Sequence, residues 1–132
     1  MSQENVDAFR RAIEAFNERS VSGMMEVCAP DVECRPLLAG VSDAPYRGED
    51  GIRDFLAATD EAFEYFQLET ERIEDYGDYV VAVNLGRARG RSSGAEVERP
   101  LVQIARFVEG RCVWWQTFRS ASEALEAVGL RE

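Results

Sequence analysis

The spacing of hydrophobic residues changes from a helical to a strand pattern about halfway along the chain. Val6, Phe9, Ile13 and Phe16 recur every three or four residues and predict an amphipathic first helix. Beyond residue 66, apolar and polar residues alternate and predict four strands joined by short turns, over residues 67–76, 79–91, 95–108 and 111–119. Short turns favour antiparallel neighbours. Helices followed by strands indicate an α+β fold, with the helices packed on one face of a curved antiparallel sheet.

Two further helices are predicted before the strands. A second helix over Val21–Ala29 ends at Pro30, because proline disfavours helical geometry in the residue before it. A short strand over residues 31–36 follows. A long third helix is predicted over Glu49–Phe66, with Phe55 on its apolar side. A curved sheet that holds such a helix leaves a cone with one open end, which is a natural ligand site.

The beginning of the third helix and that of the last helix carry clear sequence signals. Tyr46-Arg47-Gly48 predicts a strand end and a turn, because glycine reaches backbone angles that other residues avoid. Glu49 and Asp50 then place negative charge in the first helical turn, where the helix dipole favours it. Ser120 and Glu123 form a capping box, which predicts a last helix through residue 128.

Composition and charge limit what the chain can be. Its 132 residues, 45% of them hydrophobic, predict a single globular domain over residues 1–132. The net charge of −10 argues against nucleic acid and anionic membrane as partners, since both are negatively charged. No apolar run approaches the ~18 residues of a membrane span, and no export signal is visible, so we expect a cytoplasmic protein.

The residue types available restrict the possible chemistry. Cys28, Cys34 and Cys112 form no Cys-x-x-Cys pair and are interpreted as reduced, partly buried thiols. Histidine and lysine are absent, which excludes a histidine triad, the usual histidine metal sites and a Schiff base. We therefore expect neither a metal nor another cofactor, and any acid–base catalysis would fall to carboxylates.

Charge pairing suggests a register for the long hairpin. Placing Arg89 opposite Glu98 pairs opposite charges across the strands and sets Asn84 opposite Gln103. One sheet face then carries small or neutral polar residues, as around a hollow. The other face is apolar and needs cover, for which we predict a homodimer through the sheet.

The order of these signals resembles the SnoaL-like group of the NTF2-like superfamily over nearly the whole chain. The resemblance rests on five segments, namely Phe16-Asn17, Pro30-Asp31-Val32, Tyr46-Arg47-Gly48 with Ile52 and Phe55, residues 106–111 and residues 124–130. It implies a cone-shaped α+β fold, a dimer and an apolar pocket. The group includes polyketide cyclases, ketosteroid isomerases, epoxide hydrolases, dehydratases and binding modules, so the fold alone does not give the function.

The acid–base residues of those enzymes do not carry over to this chain. The positions of the isomerases' catalytic tyrosine, base and oxyanion-hole acid fall near Ala12, Arg35 and Gln103. The hydrolases' Asp-Arg-Asp set falls on Asn84, Ala82 and Thr117, and the cyclases' His and Asp fall on Trp115 and Thr117.

Glu33 and Arg35 are the candidate catalytic pair. They lie two residues apart on a predicted strand and share a face, which the resemblance turns toward the cone. Glu33 would be the base and Arg35 its charge partner. The alternative is that Val32 and Cys34 face inward and the charged pair faces solvent.

The last strand leaves a similar choice. The resemblance turns Trp115, Thr117 and Arg119 toward the pocket, whereas a plain two-residue hairpin would turn Trp114 and Gln116 inward. A β-bulge would reconcile the two.

Two functions follow from this sequence. The first is a small-molecule pocket protein, an isomerase, cyclase or hydrolase type of enzyme that acts on a mostly apolar, oxygen-bearing substrate by carboxylate chemistry. The alternative is a non-catalytic ligand-binding or dimerisation module of the same fold. The predicted pocket residues are Phe16, Tyr46, Phe55, Asn84, Gln103, Trp115, Thr117 and Arg119.

Overall fold

A computed structural model describes residues 2–37 and 45–130 of the chain. Its helices are α1 (Ser2–Asn17), α2 (Val21–Met25), α3 (Gly48–Ala62) and α4 (Ala121–Ala127). Its strands are β1 (Cys28–Arg35), β2 (Tyr46–Arg47), β3 (Phe63–Tyr76), β4 (Tyr79–Gly90), β5 (Glu96–Val108) and β6 (Arg111–Phe118). No helix within these ranges is long and apolar enough to cross a membrane.

The six strands form one curved, open sheet in the order β2-β1-β6-β5-β4-β3. The β1–β6 pair is parallel and the other pairs are antiparallel. The predicted α+β cone is therefore confirmed. Most of the core lies on the inner face of the sheet, against α1, α2 and α3.

The outer face of the sheet is covered by the last helix of the same chain. Ala124 and Leu125 of α4 pack on a cluster contributed by β4 and β5, made of Val81, Val83, Val102 and Ile104. Ser120 caps this helix, because its hydroxyl oxygen accepts a hydrogen bond from the Glu123 amide at 3.2 Å. The apolar outer face thus has a cover within the monomer, which removes the packing argument for a dimer at this part of the sheet.

The second helix is shorter than its sequence pattern indicated. It ends at Met25, and β1 begins at Cys28 instead of residue 31. The parallel pairing of β1 with β6 begins at Cys28, since the Cys112 amide donates a hydrogen bond to the Val27 carbonyl at 2.9 Å. A register shift between Cys28 and Glu33 accommodates Pro30, which cannot donate to a strand ladder.

The third helix also ends earlier than predicted. It stops at Ala62, and the expected helical residues Phe63 and Phe66 lie in β3 instead. Pairing with β4 decides this boundary, because Phe63 lies opposite Gly90 and the Ala62 carbonyl accepts a hydrogen bond from the Arg91 amide.

The predicted turn before the third helix is confirmed. Tyr46 and Arg47 form β2, and Gly48 follows with φ of +64°. A side chain at Gly48 would be strained at this φ, and its Cβ would lie 3.0 Å from the Pro30 carbonyl oxygen. The turn therefore brings the beginning of α3 directly against β1.

The hairpin of β4 and β5 differs from the predicted register by two residues. Arg87 pairs with Glu98 and Arg89 with Glu96, so Gln103 lies opposite Ala82 rather than Asn84. A shift of two keeps every side chain on its predicted face, because side chains alternate with a period of two.

Candidate functional site

A ladder of neutral polar side chains crosses the inner face of the sheet. The Thr70 hydroxyl donates to the Asn84 side-chain oxygen at 2.7 Å, and the Asn84 amide donates to the Gln103 oxygen at 3.3 Å. The Gln103 amide in turn donates to the Thr117 hydroxyl at 3.5 Å. These four residues, one from each of β3, β4, β5 and β6, are named the polar ladder below. Such groups must be hydrogen-bonded where they are buried, and Asn84 is only 1% exposed.

A β-bulge places the last strand in register with this ladder. Val108 pairs with Arg111 at the turn, and the register shifts between Arg106 and Phe107. Beyond the shift, Trp115 lies opposite Ala105 and Thr117 opposite Gln103, so both face inward. The bulge that would reconcile the resemblance with a plain hairpin is therefore present.

Trp114 takes the other face. Its ring packs edge-on against Tyr79 at a centroid distance of 6.4 Å, in the outer cluster.

Four predicted pocket residues fill the inside of the cone by packing on one another. The Phe55 ring lies 5.5 Å from Phe16, 5.5 Å from Trp115 and 5.7 Å from Tyr46 between ring centroids. Such aromatic contacts stabilise a core beyond the area they bury. The interior is consequently almost full here.

Two small cavities of about 20 Å³ each remain beside the Gln103 side chain. The first is lined by Phe9, Ala12, Ile13, Phe16, Met24, Cys28, Leu68, Cys112 and Trp115. The second is lined by Thr117 and is bounded by Leu37, Phe66 and Leu101. Each has room for about one water molecule.

A much larger hollow of about 810 Å³ opens at the end of the sheet beyond the second cavity. It is named the mouth hollow, and its described walls are Leu37, Phe63, Phe66, Gly86, Ala88, Val97, Arg99, Pro100, Leu101 and Arg119. Leu37, Phe66 and Leu101 belong to both spaces, so they separate this hollow from the Thr117 hydroxyl. Among the described wall residues, the only ionisable groups are Arg99 and Arg119.

Glu33 and Arg35 lie away from this inner face. Their neighbours Val32 and Cys34 are fully buried in the inner core, and the Glu33 side chain is 19% exposed on the outer side. The Glu33 carboxylate forms salt bridges with Arg35 at 2.7 Å and with Arg47 at 2.9 Å. The pair therefore adopts the alternative orientation, in which Val32 and Cys34 face inward and the charged side chains face outward.

Glu33 instead lines a shallower outer hollow of about 480 Å³. The walls of this outer hollow combine two acids and two bases with apolar and aromatic residues, namely Asp31, Glu33, Arg47, Arg106, Tyr79, Val113, Trp114, Gln116, Ala127 and Val128. It lies across the sheet from the polar ladder, so no small molecule could touch Glu33 and Gln103 together.

Sequence reasoning named Asn84, Gln103 and Thr117, which the structure brings together on the inner face, but it missed Thr70, Leu101 and Arg99. Thr70 and Leu101 are ordinary strand residues, and only the register shows what they face. Arg99 is one of the exposed residues at the beginning of β5. No group of three His, Cys, Asp or Glu side chains within residues 2–37 and 45–130 is arranged to hold a metal ion.

The fold agrees with a family comparison. The model of the SnoaL-like domain matches residues 9–115. The chain belongs to the SnoaL-like family. No curated protein matches the chain.

Several solved structures share this fold. An NTF2-like protein of unknown function from Burkholderia pseudomallei K96243 is 22% identical, with a TM-score of 0.79 over 96% of this chain and 98% of that chain. TerC, co-crystallized with polyporic acid, is 20% identical, with a TM-score of 0.78 over 93% and 96%.

A protein with a ketosteroid isomerase-like fold from Catenulispora acidiphila, in complex with trimethylamine, is 17% identical, with a TM-score of 0.74 over 94% and 93%. At these identities the likeness shows the fold alone.

Proposed function

We propose that this SnoaL-like protein binds a small, mostly apolar molecule in the mouth hollow. The observation that carries the proposal is an apolar space of about 810 Å³ whose described ionisable groups are two arginines. A volume in this range suits a small organic ligand. Two proteins of the same fold hold small molecules in their crystals, polyporic acid in one and trimethylamine in the other.

The hollow favours a ligand with an anionic or oxygen-bearing end. Arg99 and Arg119 carry fixed positive charge beside apolar walls, in a chain whose net charge is −10. Guanidinium groups bind carboxylates through paired hydrogen bonds. A slim oxygen substituent that passed Leu101 would reach the Thr117 hydroxyl of the polar ladder. Ligand binding, the non-catalytic alternative, is thus the function that this geometry supports best.

Two fluorescent naphthalene probes test this binding. We expect the anionic probe anilinonaphthalene sulfonate and the neutral probe N-phenylnaphthylamine each to bind saturably to the wild-type protein. Leu101→Glu, which places a carboxylate in the apolar wall, should weaken both roughly tenfold or more. The absence of saturable binding by either probe would contradict the proposal.

Arginine variants separate the two hollows. Arg119→Gln should weaken the anionic probe several-fold, on the order of 3–10 times, and leave the neutral probe unchanged. Arg106→Gln is the matched control, because Arg106 lines the outer hollow instead. Equal losses in both variants would show that net charge, rather than the mouth hollow, governs the binding.

A catalytic role for Glu33 and Arg35 is a separate proposal that now concerns the outer hollow. Glu33 lies there with the neutral donors Tyr79 and Gln116, beside space for a small molecule. Its carboxylate is paired with Arg35 and Arg47. Once a substrate is in hand, a Glu33→Ala variant with unchanged turnover would remove this assignment.

We also propose that the protein forms a homodimer through the outer face. The outer hollow combines acidic groups, Asp31 and Glu33, with basic groups, Arg47 and Arg106, so a second copy related by twofold symmetry can match its charges. Trp114 would supply an aromatic anchor. The three free thiols support the predicted cytoplasmic location.

Light scattering after size-exclusion chromatography tests the dimer. The wild-type protein should run at twice the monomer mass of 14.8 kDa, and Trp114→Glu should run as a folded monomer. A wild-type monomer at all concentrations would overturn the proposal.

A further inference from the structure

Two of the three cysteines lie directly opposite each other in the sheet. Cys28 of β1 pairs in register with Cys112 of β6. Adjacent strands lie about 4.8 Å apart, and a disulfide spans Cα atoms separated by roughly 4.4–6.8 Å. Both thiols are free in this structure. The backbone therefore already holds the pair at a separation that a disulfide requires.

The two side chains also share one small cavity. Cys28 and Cys112 both line the first inner cavity of about 20 Å³, together with Met24 and Gln103. This cavity has room for about one water molecule, so a slightly larger hydroperoxide needs only small side-chain movements to enter. The pair is thus buried from bulk solvent and yet borders space for a small oxidant.

The surroundings make the two thiols unequal. A hydrogen bond between the thiols lowers the pKa of Cys28, and burial opposes this effect, while the nearby Arg111 guanidinium lowers that pKa further. The same hydrogen bond and burial raise the pKa of Cys112 well above its ordinary value. Arg111 is held in place, because it donates a hydrogen bond to the Cys28 carbonyl at 3.1 Å. Since the thiolate is the reactive form and the Arg111 guanidinium lies beside Cys28, we expect Cys28 to react first.

We propose that Cys28 and Cys112 form a redox pair that a small peroxide converts into a disulfide. The Cys28 thiolate attacks one peroxide oxygen, the O–O bond breaks, and the leaving hydroxide takes a proton to become water. The sulfenic acid on Cys28 is then attacked by the Cys112 sulfur. The S–O bond breaks, and the leaving hydroxide takes the Cys112 proton as a second water. Two thiols are oxidised by two electrons, and one hydrogen peroxide is reduced to two waters.

Cys34 provides a matched control on the same strand. It is as buried as the pair, but its register partner in β6 is Trp115 instead of a cysteine. Burial raises the pKa of the Cys34 thiol far above its ordinary value. Cys34 should therefore stay reduced while the other two thiols combine.

The experiment treats the reduced, folded protein with hydrogen peroxide and follows the intact mass. We expect a product lighter by two hydrogen atoms, with one thiol left to titrate after unfolding. Cleavage after glutamate separates Cys28 from Cys34 at Glu33, so the disulfide should appear as residues 27–33 linked to residues 110–123. Cys34→Ala should give the same linked peptides, whereas Cys28→Ala and Cys112→Ala should give none.

The wild-type peptide map decides the outcome even if a cysteine variant folds poorly. A link from Cys34 to either partner, or three free thiols after treatment, would overturn the proposal. The oxidised wild-type protein should also melt roughly 5–10 °C higher, because the bond closes a long loop between two strands. A lower melting temperature would show that the pair is strained by the bond and would contradict a built-in redox pair.

Discussion

The two faces of the sheet carry opposite kinds of polar group. On the inner face, Asn84, Gln103 and Thr117 are neutral, buried and hydrogen-bonded to one another. On the outer face, Glu33 and Arg47 are charged and reach solvent. A neutral amide can be buried at little cost when its partners are present, whereas a charge loses its hydration. The comparison indicates that neutral polar side chains suit the buried inner face and charged side chains the exposed outer face.

The same comparison bears on catalysis. The side chains of the polar ladder are amides and hydroxyls, so the ladder has no group that titrates near neutral pH. The carboxylates of the described chain that border a hollow, Asp31 and Glu33, lie on the outer side. Binding from the inside and acid–base chemistry from the outside are therefore separate hypotheses, which different residues can test.

The largest expected effect comes from placing a charge on the inner face. Asn84→Asp should lower the free energy of unfolding by about 3 kcal/mol near neutral pH, because the carboxylate is buried without a cation. Burial should raise the pKa of this new carboxyl in the folded state above its unfolded value. The loss of stability should therefore shrink as the pH falls through the folded pKa. It should be smallest below the unfolded pKa, where the carboxyl is protonated in both states. Urea unfolding at about pH 7 and about pH 5 measures it.

Glu33→Gln is the matched control on the outer face. It changes the same kind of group by one charge, but its ion pairs with Arg35 and Arg47 are partly exposed, so the change should be within about 1 kcal/mol. Equal deficits in the two variants would mean that the faces do not differ in their tolerance of charge.

A smaller effect is expected from the last member of the ladder. Thr117→Val keeps the side-chain shape but removes the hydroxyl that accepts the Gln103 hydrogen bond, so the variant should lose about 1–2 kcal/mol in urea unfolding. Gln116→Val, one residue earlier on the outer face, should change stability by less than about 0.5 kcal/mol. A larger loss of stability in Gln116→Val than in Thr117→Val would contradict this prediction. It would show that the 3.5 Å contact between Gln103 and Thr117 contributes little.

The parts of this structure that follow from local signals could be predicted from the sequence. Gly48 requires a positive φ and marks the beginning of α3, and Ser120 caps α4. The strand alternation placed Asn84 and Gln103 on one face, and this survived an error of two residues in the register because two is the period of the strand.

The remaining features depend on contacts between distant segments. The three-residue spacing of Phe63 and Phe66 fits a helix, and the segment becomes a strand only through its pairing with β4, which includes a register shift between Phe63 and Tyr65. The capping box predicted α4 but carries no information about which surface the helix covers. In the sequence, Arg99 is only a charged residue within a predicted strand. It becomes part of the mouth hollow because the sheet is curved.

The smallest loss of stability should come from removing an exposed charge at a strand end on the outer surface. This result would sharpen the contrast with Asn84→Asp. A hydrogen bond from Arg89 holds the pKa of Glu96 below its ordinary value. Because the folded pKa is lowered, this pair stabilises the protein above the unfolded pKa, and the contribution is lost as the pH falls through the folded value. Glu96→Gln should therefore have a slightly lower melting temperature than the wild-type protein near neutral pH, and the two melting temperatures should converge in acid. Added salt should close the gap as well, since both groups are exposed. A difference in melting temperature that persists in acid and in high salt would mean that Glu96 stabilises the protein through packing. The comparison of the two faces would then not explain the effect of this residue by its exposed charge.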